Sequence, residues 1–124
     1  MKLLWVGLGG CTGAILRYVI SGWVQRWSRS IDFPYGTLAV NMIGCLAIGF
    51  LSQLAESRSL FTPEARLFIF MGLLGAFTTF STFSKETLAL LQAGAYLLAL
   101  ANVTLQLAVG LAMVWLGQVL ARLV

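Results

Sequence analysis

The chain has 124 residues, of which 60% are hydrophobic and only 10% charged, with a net charge of +4. Soluble domains carry about 25% charged residues, so this composition excludes a soluble enzyme or nucleic-acid-binding domain and indicates an integral membrane protein. A spanning helix takes about 20 mostly apolar residues, which leaves room for four spans in a single transmembrane domain over residues 1–124 and for no soluble domain.

Span one covers residues 3–24. Its start resembles a signal peptide, but the apolar run is too long, contains Arg17 and has no cleavage pattern. Gly9 and Gly13 have the spacing that lets a second helix backbone approach closely; a dinucleotide-type glycine fingerprint fails at Thr12. A cation such as Arg17 costs about 3 kcal/mol near the bilayer centre, so it either snorkels to the interface or draws anions into a vestibule. Residues 25–35 read as an interfacial loop, with Trp23 and Trp27 as headgroup anchors. Span two covers 36–54; Asn41 is its one strongly polar residue and Thr37 lies a turn earlier on the same face. Thr62, Pro63 and Glu64 supply a cap, a first-turn proline and an acidic first turn, so span three opens there and covers about 65–92. After a short turn at 92–94, span four covers 95–121, with Asn102 and Gln106 one turn apart on a shared face. Cys11 and Cys45 fall inside spans, where a thiol acts as a small hydrophobe and no disulfide is expected. The basic residues are scattered at segment ends, facing membrane lipid headgroups rather than nucleic acid.

The middle of span three is too polar for its depth. Among residues 75–84, six are glycine or hydroxyl-bearing. Such residues weaken a helix or offer its backbone competing bonds, so the third helix is expected to be broken between Gly75 and Thr79. Irregular backbone at that depth must be sheltered by protein or line a wet cavity. Phe80 and Phe83 share one helix face, and Thr79, Thr82 and Glu86 the neighbouring stripe. Ring edges are electropositive, so aromatic rings beside an amide donor and hydroxyls can replace water around a small anion.

With four spans, Lys2, Arg58, Arg66 and Arg122 collect on one side of the membrane and Arg26 and Arg29 on the other, joined by Arg17 and Lys85 if both snorkel that way. So little bias permits insertion either way up, and two opposed copies can pair about a two-fold axis. The chain has no histidine and four scattered acids, so no metal cluster or acid/base pair assembles, and the protein is not expected to be an enzyme. Ser81 and Lys85 mimic a Ser-Lys dyad by spacing alone; Lys85 beside Glu86 reads more simply as an ion pair or interface anchor.

Three ordered motifs, residues 9–18 (GGCTGAILRY), 34–44 (PYGTLAVNMIG) and 75–84 (GAFTTFSTFS), resemble those of the Fluc fluoride channels, also called the CrcB family, over nearly the whole chain. The resemblance implies an all-α fold of four transmembrane helices per subunit, the third broken, in an antiparallel dual-topology homodimer of the bacterial inner membrane. It implies passive efflux of fluoride ion as resistance to that ion. Phe80 and Phe83 would be the pore aromatics and Asn41 a pore-side donor, with Thr37, Thr79, Ser81, Thr82 and Asn102 as further polar lining. Arg17 and Glu86 would lie in the vestibule or support it. Backbone carbonyls of Gly75 and Thr78 would hold a structural sodium ion on the dimer axis. The sequence departs from the family where a hydroxyl track is common in span four, since Ala108 and Ala112 follow Thr104, with Asn102 and Gln106 expected to substitute for part of it, and where Tyr35 replaces Trp or Phe. The alternatives are a small dual-topology, proton-coupled exporter of cationic compounds that uses Glu86, and a non-transporting membrane scaffold.

Overall fold

Lipid offers no partner to backbone N–H and C=O groups, so each apolar run must satisfy its own and becomes a helix. The computed structural model describes residues 1–124. Span one is α1 (Lys2–Ser28) and span two α2 (Tyr35–Arg58). The third span, Pro63–Gln92, joins α3 (Pro63–Arg66), a π-helical segment (Leu67–Leu74), α4 (Gly75–Phe77) and α5 (Phe80–Gln92). The fourth, Tyr96–Arg122, joins α6 (Tyr96–Thr104), a π-helical segment (Leu105–Val109) and α7 (Gly110–Arg122). All four are long and apolar enough to cross a membrane.

The interfacial loop expected at 25–35 is shorter, because α1 continues to Ser28 and carries Gln25 and Trp27 on the helix. Gln25 then staples the connection: Nε2 donates to the carbonyls of Ser30 (2.7 Å) and Phe33 (3.1 Å), while Oε1 accepts from the Gly36 N–H (3.0 Å). At the other end of the bundle Thr62 caps α3 through the Ala65 N–H (3.2 Å), with Pro63 in the first turn. Arg66 reaches back with Nη2 to the Ala55 carbonyl (2.9 Å), tying the start of span three to the end of span two.

Helices in lipid gain little from apolar burial against one another, so close backbone contact has to supply the adhesion. A Cβ at Gly9 would collide with the Phe68 carbonyl oxygen and one at Gly13 with that of Leu73. The Gly9/Gly13 pair is therefore the face on which α1 packs against span three. Gly49 and Gly117 form the matching seam between α2 and α7, where added methyls would meet the carbonyls of Val114 and Leu46. Only 20 of 124 residues are buried, and large apolar side chains such as Leu3, Tyr18 and Trp115 stay exposed on the outside of the bundle. That is the distribution expected when lipid replaces water as the surroundings.

Gly75 is not where the backbone departs from the helix. Its φ of −62° and ψ of −35° are helical, and its N–H donates to the carbonyls of Gly72 and Phe70. The extended residues are Thr78 (φ −86°, ψ 159°) and Thr79 (φ −151°, ψ 117°). These two lie at the end of the stretch from Gly75 to Thr79 in which a break was expected, while Gly75, with its backbone bonds intact, remains helical. Thr79 instead has partners that compete with the helix.

Candidate functional site

In a continuous helix the Thr79 N–H would donate to the Gly75 carbonyl four residues back. Here it donates to Asn41 Oδ1 on α2 at 2.8 Å, and Asn41 Nδ2 returns a bond to the Thr79 carbonyl at 3.1 Å. The carboxamide of Asn41 thus pairs with a whole peptide group. Its second Nδ2 hydrogen goes to Gln106 Oε1 at 3.0 Å, bringing span four to the same point. The Thr79 hydroxyl caps α5 by accepting from the Thr82 N–H (3.2 Å), and it also lies 3.0 Å from Thr82 Oγ1 and 3.4 Å from Ser81 Oγ. Gly44 sits opposite, where a Cβ would strike the Thr78 methyl; α2 can approach the extended residues only because that position is glycine.

Beside this network lies a cavity of about 360 Å³ lined by Asn41, Thr78, Thr79, Phe80, Phe83 and Gln106, among others. The two rings meet edge-on, with centroids 5.5 Å apart and planes at 61°. Phe83 is buried, whereas Phe80 is 74% exposed at the open side of the cavity. A second cavity of about 780 Å³ lies one turn further along the same two helices, with Thr37 of α2 and Glu86 of α5 in its wall beside Gln25 and Asp32. Glu86 Oε1 accepts from the Thr37 hydroxyl at 2.7 Å, while Oε2 is buried without a partner. Glu86 therefore bonds across to α2.

The fold brings Asn41, Thr79, Phe80 and Phe83 to one cavity and Thr37 and Glu86 to its neighbour. Ser81 and Thr82 are exposed and join the site through the Thr79 hydroxyl. Arg17, half-exposed on α1, lines neither cavity. Asn102 also lines neither: it is fully buried, with Nδ2 donating to Thr87 Oγ1 at 2.9 Å, and it ties α6 to α5. The face that Asn102 and Gln106 were expected to share is split between two partners. The π-helical turn that begins at Leu105 shifts the register between them, so Asn102 meets Thr87 of α5 and Gln106 meets Asn41 of α2.

Of the two amides that the sequence offered in place of part of the span-four hydroxyl track, Gln106 lines the first cavity beside Asn41 and Asn102 does not.

The chain as a whole is similar to known proteins. Residues 4–118 match the family described as CrcB-like protein, Camphor Resistance (CrcB). The fluoride-specific ion channel FluC of Shewanella loihica is 50% identical over 117 residues, 94% of this chain and 93% of the relative. The protein of the same name from a Sulfurovum species is 48% identical over 120 residues, 97% and 93% of the two chains. That from Methylobacillus flagellatus is 43% identical over 122 residues, 98% and 95%. With likeness of that degree running through all four spans, the chain belongs to the CrcB, or Fluc, family.

Proposed function

We propose that the protein is a fluoride-selective channel that lets fluoride leave the cytoplasm passively across the bacterial inner membrane, so conferring resistance to that ion. The observation that carries this reading is the cavity where the Phe80 and Phe83 rings stand beside the Thr79–Asn41–Gln106 network. Fluoride is small and strongly hydrated, and a dry path must replace its water with many donors of modest strength. Ring edges supply positive potential without the grip of an ammonium group, and hydroxyl and amide donors supply hydrogen bonds, which permits entry and exit alike. Thr37 and Glu86 mark the next stage of the path, with Ser81 and Thr82 as hydroxyls near its mouth and Arg17 at the vestibule or in a supporting role.

The working unit is an antiparallel dual-topology homodimer. The exposure of Phe80 on an open cavity supports it, since one four-helix subunit leaves that wall unfinished. The third span is broken at Thr78 and Thr79, and the break belongs to the subunit interface. A structural sodium ion at that interface fits the donors present: Thr79 withholds its N–H from the Gly75 carbonyl, Thr78 is extended, and carbonyl oxygens suit a hard cation. Gly75 and Thr78 would hold it, and the ion would supply positive charge to join two negative backbone surfaces.

Purified protein in liposomes should release fluoride when a potassium ionophore clamps the voltage, with chloride unable to substitute. Phe80→Ile should suppress that release while the dimer persists in gel filtration. Exchange of all sodium for a large organic cation should suppress it as well; unaltered release would remove the sodium from the proposal. Vesicles no leakier than protein-free ones would sink the channel reading and return attention to the exporter.

A further inference from the structure

Two sulfur-bearing side chains of α2 meet where that helix packs on α7. Met42 and Cys45 are three residues apart, so they leave the same face of α2. A methyl placed at Gly110 of α7 would lie 3.5 Å from Met42 Cε and 3.6 Å from Cys45 Sγ, so both side chains close on one point that the glycine leaves open. Both also line the cavity of Phe80 and Phe83. Cys45 is a free, half-buried thiol; the other thiol, Cys11, is exposed on α1 and lines neither cavity. The rest of the cavity wall is apolar, hydroxyl or amide, with no carboxylate.

A thiolate beside a thioether, with no hard charged oxygen nearby, is the donor set that selects soft ions such as cuprous copper. Charge balance favours a monovalent one. The thiolate is the metal ligand, so the Cys45 thiol gives up its proton as the sulfur–metal bond forms: a thiol and a monovalent cation become a neutral metal thiolate and a released proton. The Met42 thioether adds a lone pair and no charge. No net charge is then left in surroundings that penalise one.

We propose that Met42 and Cys45 form a site for a soft monovalent cation, silver or cuprous copper, and that its occupation closes the cavity to fluoride. The metal site stands apart from the fluoride-channel reading, whereas the closure rests on it. Asn41 lines the same wall one residue before Met42 and one turn before Cys45, so an ion held by the two sulfurs takes up space beside the network on which that reading depends. A soft ion has little affinity for the hard fluoride ion, so it obstructs the anion instead of relaying it.

Silver nitrate in chloride-free buffer is the probe, applied to the Cys11→Ser protein so that Cys45 is its one thiol. Equilibrium dialysis, with bound silver measured by mass spectrometry, should give one silver ion per subunit. Adding Met42→Leu should weaken binding about tenfold or more, a loss of about 1.4 kcal/mol for each decade, and adding Cys45→Ser should remove it, while gel filtration confirms that each variant stays folded. In liposomes silver should stop fluoride release by the Cys11→Ser protein, and dithiothreitol should restore it. Release by the Cys11→Ser/Cys45→Ser protein should not respond to silver, each protein being compared with its own silver-free rate. Binding unchanged by Met42→Leu would reduce the site to an ordinary thiol and overturn the inference, as would equal binding with and without Cys45. Stoichiometric binding with undiminished release would overturn the closure. A protein that releases no fluoride even without silver would remove the channel reading and the closure with it, while the dialysis still decides the metal site.

Discussion

Asn41 joins three spans through one carboxamide, with its oxygen on the Thr79 N–H and its nitrogen shared between the Thr79 carbonyl and Gln106. Substitution by Asp preserves size and the acceptor for the Thr79 N–H, but turns the donor into a second acceptor. The Thr79 carbonyl and Gln106 Oε1 would then face an oxygen. Each buried group left unmet costs about 1–3 kcal/mol, so Asn41→Asp should lower the apparent melting temperature in detergent and also abolish fluoride release. Phe80→Ile, at an exposed ring outside the network, should lose release with little change in melting. A melting curve for Asn41→Asp identical to wild type would show that the network contributes nothing to the fold. Asn41 was conspicuous in the sequence as a lone amide in an apolar span. Its partners were not, because they lie 38 and 65 positions away and the sequence carries no mark of which amide meets which.

Hydropathy made the four helices legible, and the caps at Thr62 and the turn before Tyr96 placed their ends to within a few residues. The π-helical segments at Leu67–Leu74 and Leu105–Val109 left no such trace, since nothing in a run of Leu, Phe, Val and Ala distinguishes a wider turn from an ordinary one. They are consequences of how the spans pack. The extended pair Thr78–Thr79 was half legible: composition pointed to the region, but the exact residues depend on Asn41 of another helix. Glycine roles at the element scale are likewise separable only in three dimensions. Gly7 and Gly9 look alike in sequence, yet a methyl at Gly7 meets nothing within 4 Å, while one at Gly9 meets the Phe68 carbonyl and the Leu73 nitrogen. Backbone there cannot move aside without separating α1 from span three. Gly9→Ala should therefore cost about 1–3 kcal/mol, the usual range for overpacking, whereas Gly7→Ala should be neutral or stabilise by about 0.5–1 kcal/mol through its better helix propensity. Thermal unfolding of the two variants side by side checks the contrast, and equal melting temperatures would mean that the α1 seam is loose.

At the scale of the whole molecule the decisive quantity is the distribution of positive charge. Orientation follows Lys and Arg counts in short loops and near span ends, and this chain sets Lys2, Arg58, Arg66 and Arg122 against Arg26 and Arg29, with Arg17 and Lys85 undecided. A few changed charges should therefore commit it to one orientation. Lys2, Glu56, Ser57 and Arg58 are exposed at the same end of the bundle, and none of them lines either cavity. Lys2→Gln with Arg58→Gln should bias insertion one way up, and Glu56→Lys with Ser57→Lys the other. A subunit confined to one orientation has no opposed copy to pair with, so each double variant expressed alone should fail to protect cells from fluoride. Expressed together they should restore protection, because the two populations supply the two halves of an antiparallel dimer. A reporter fused to the C-terminus monitors the orientation of each variant. Full protection by either variant alone, with that reporter confirming a single orientation, would refute the antiparallel arrangement while leaving fluoride conduction itself to the liposome assay.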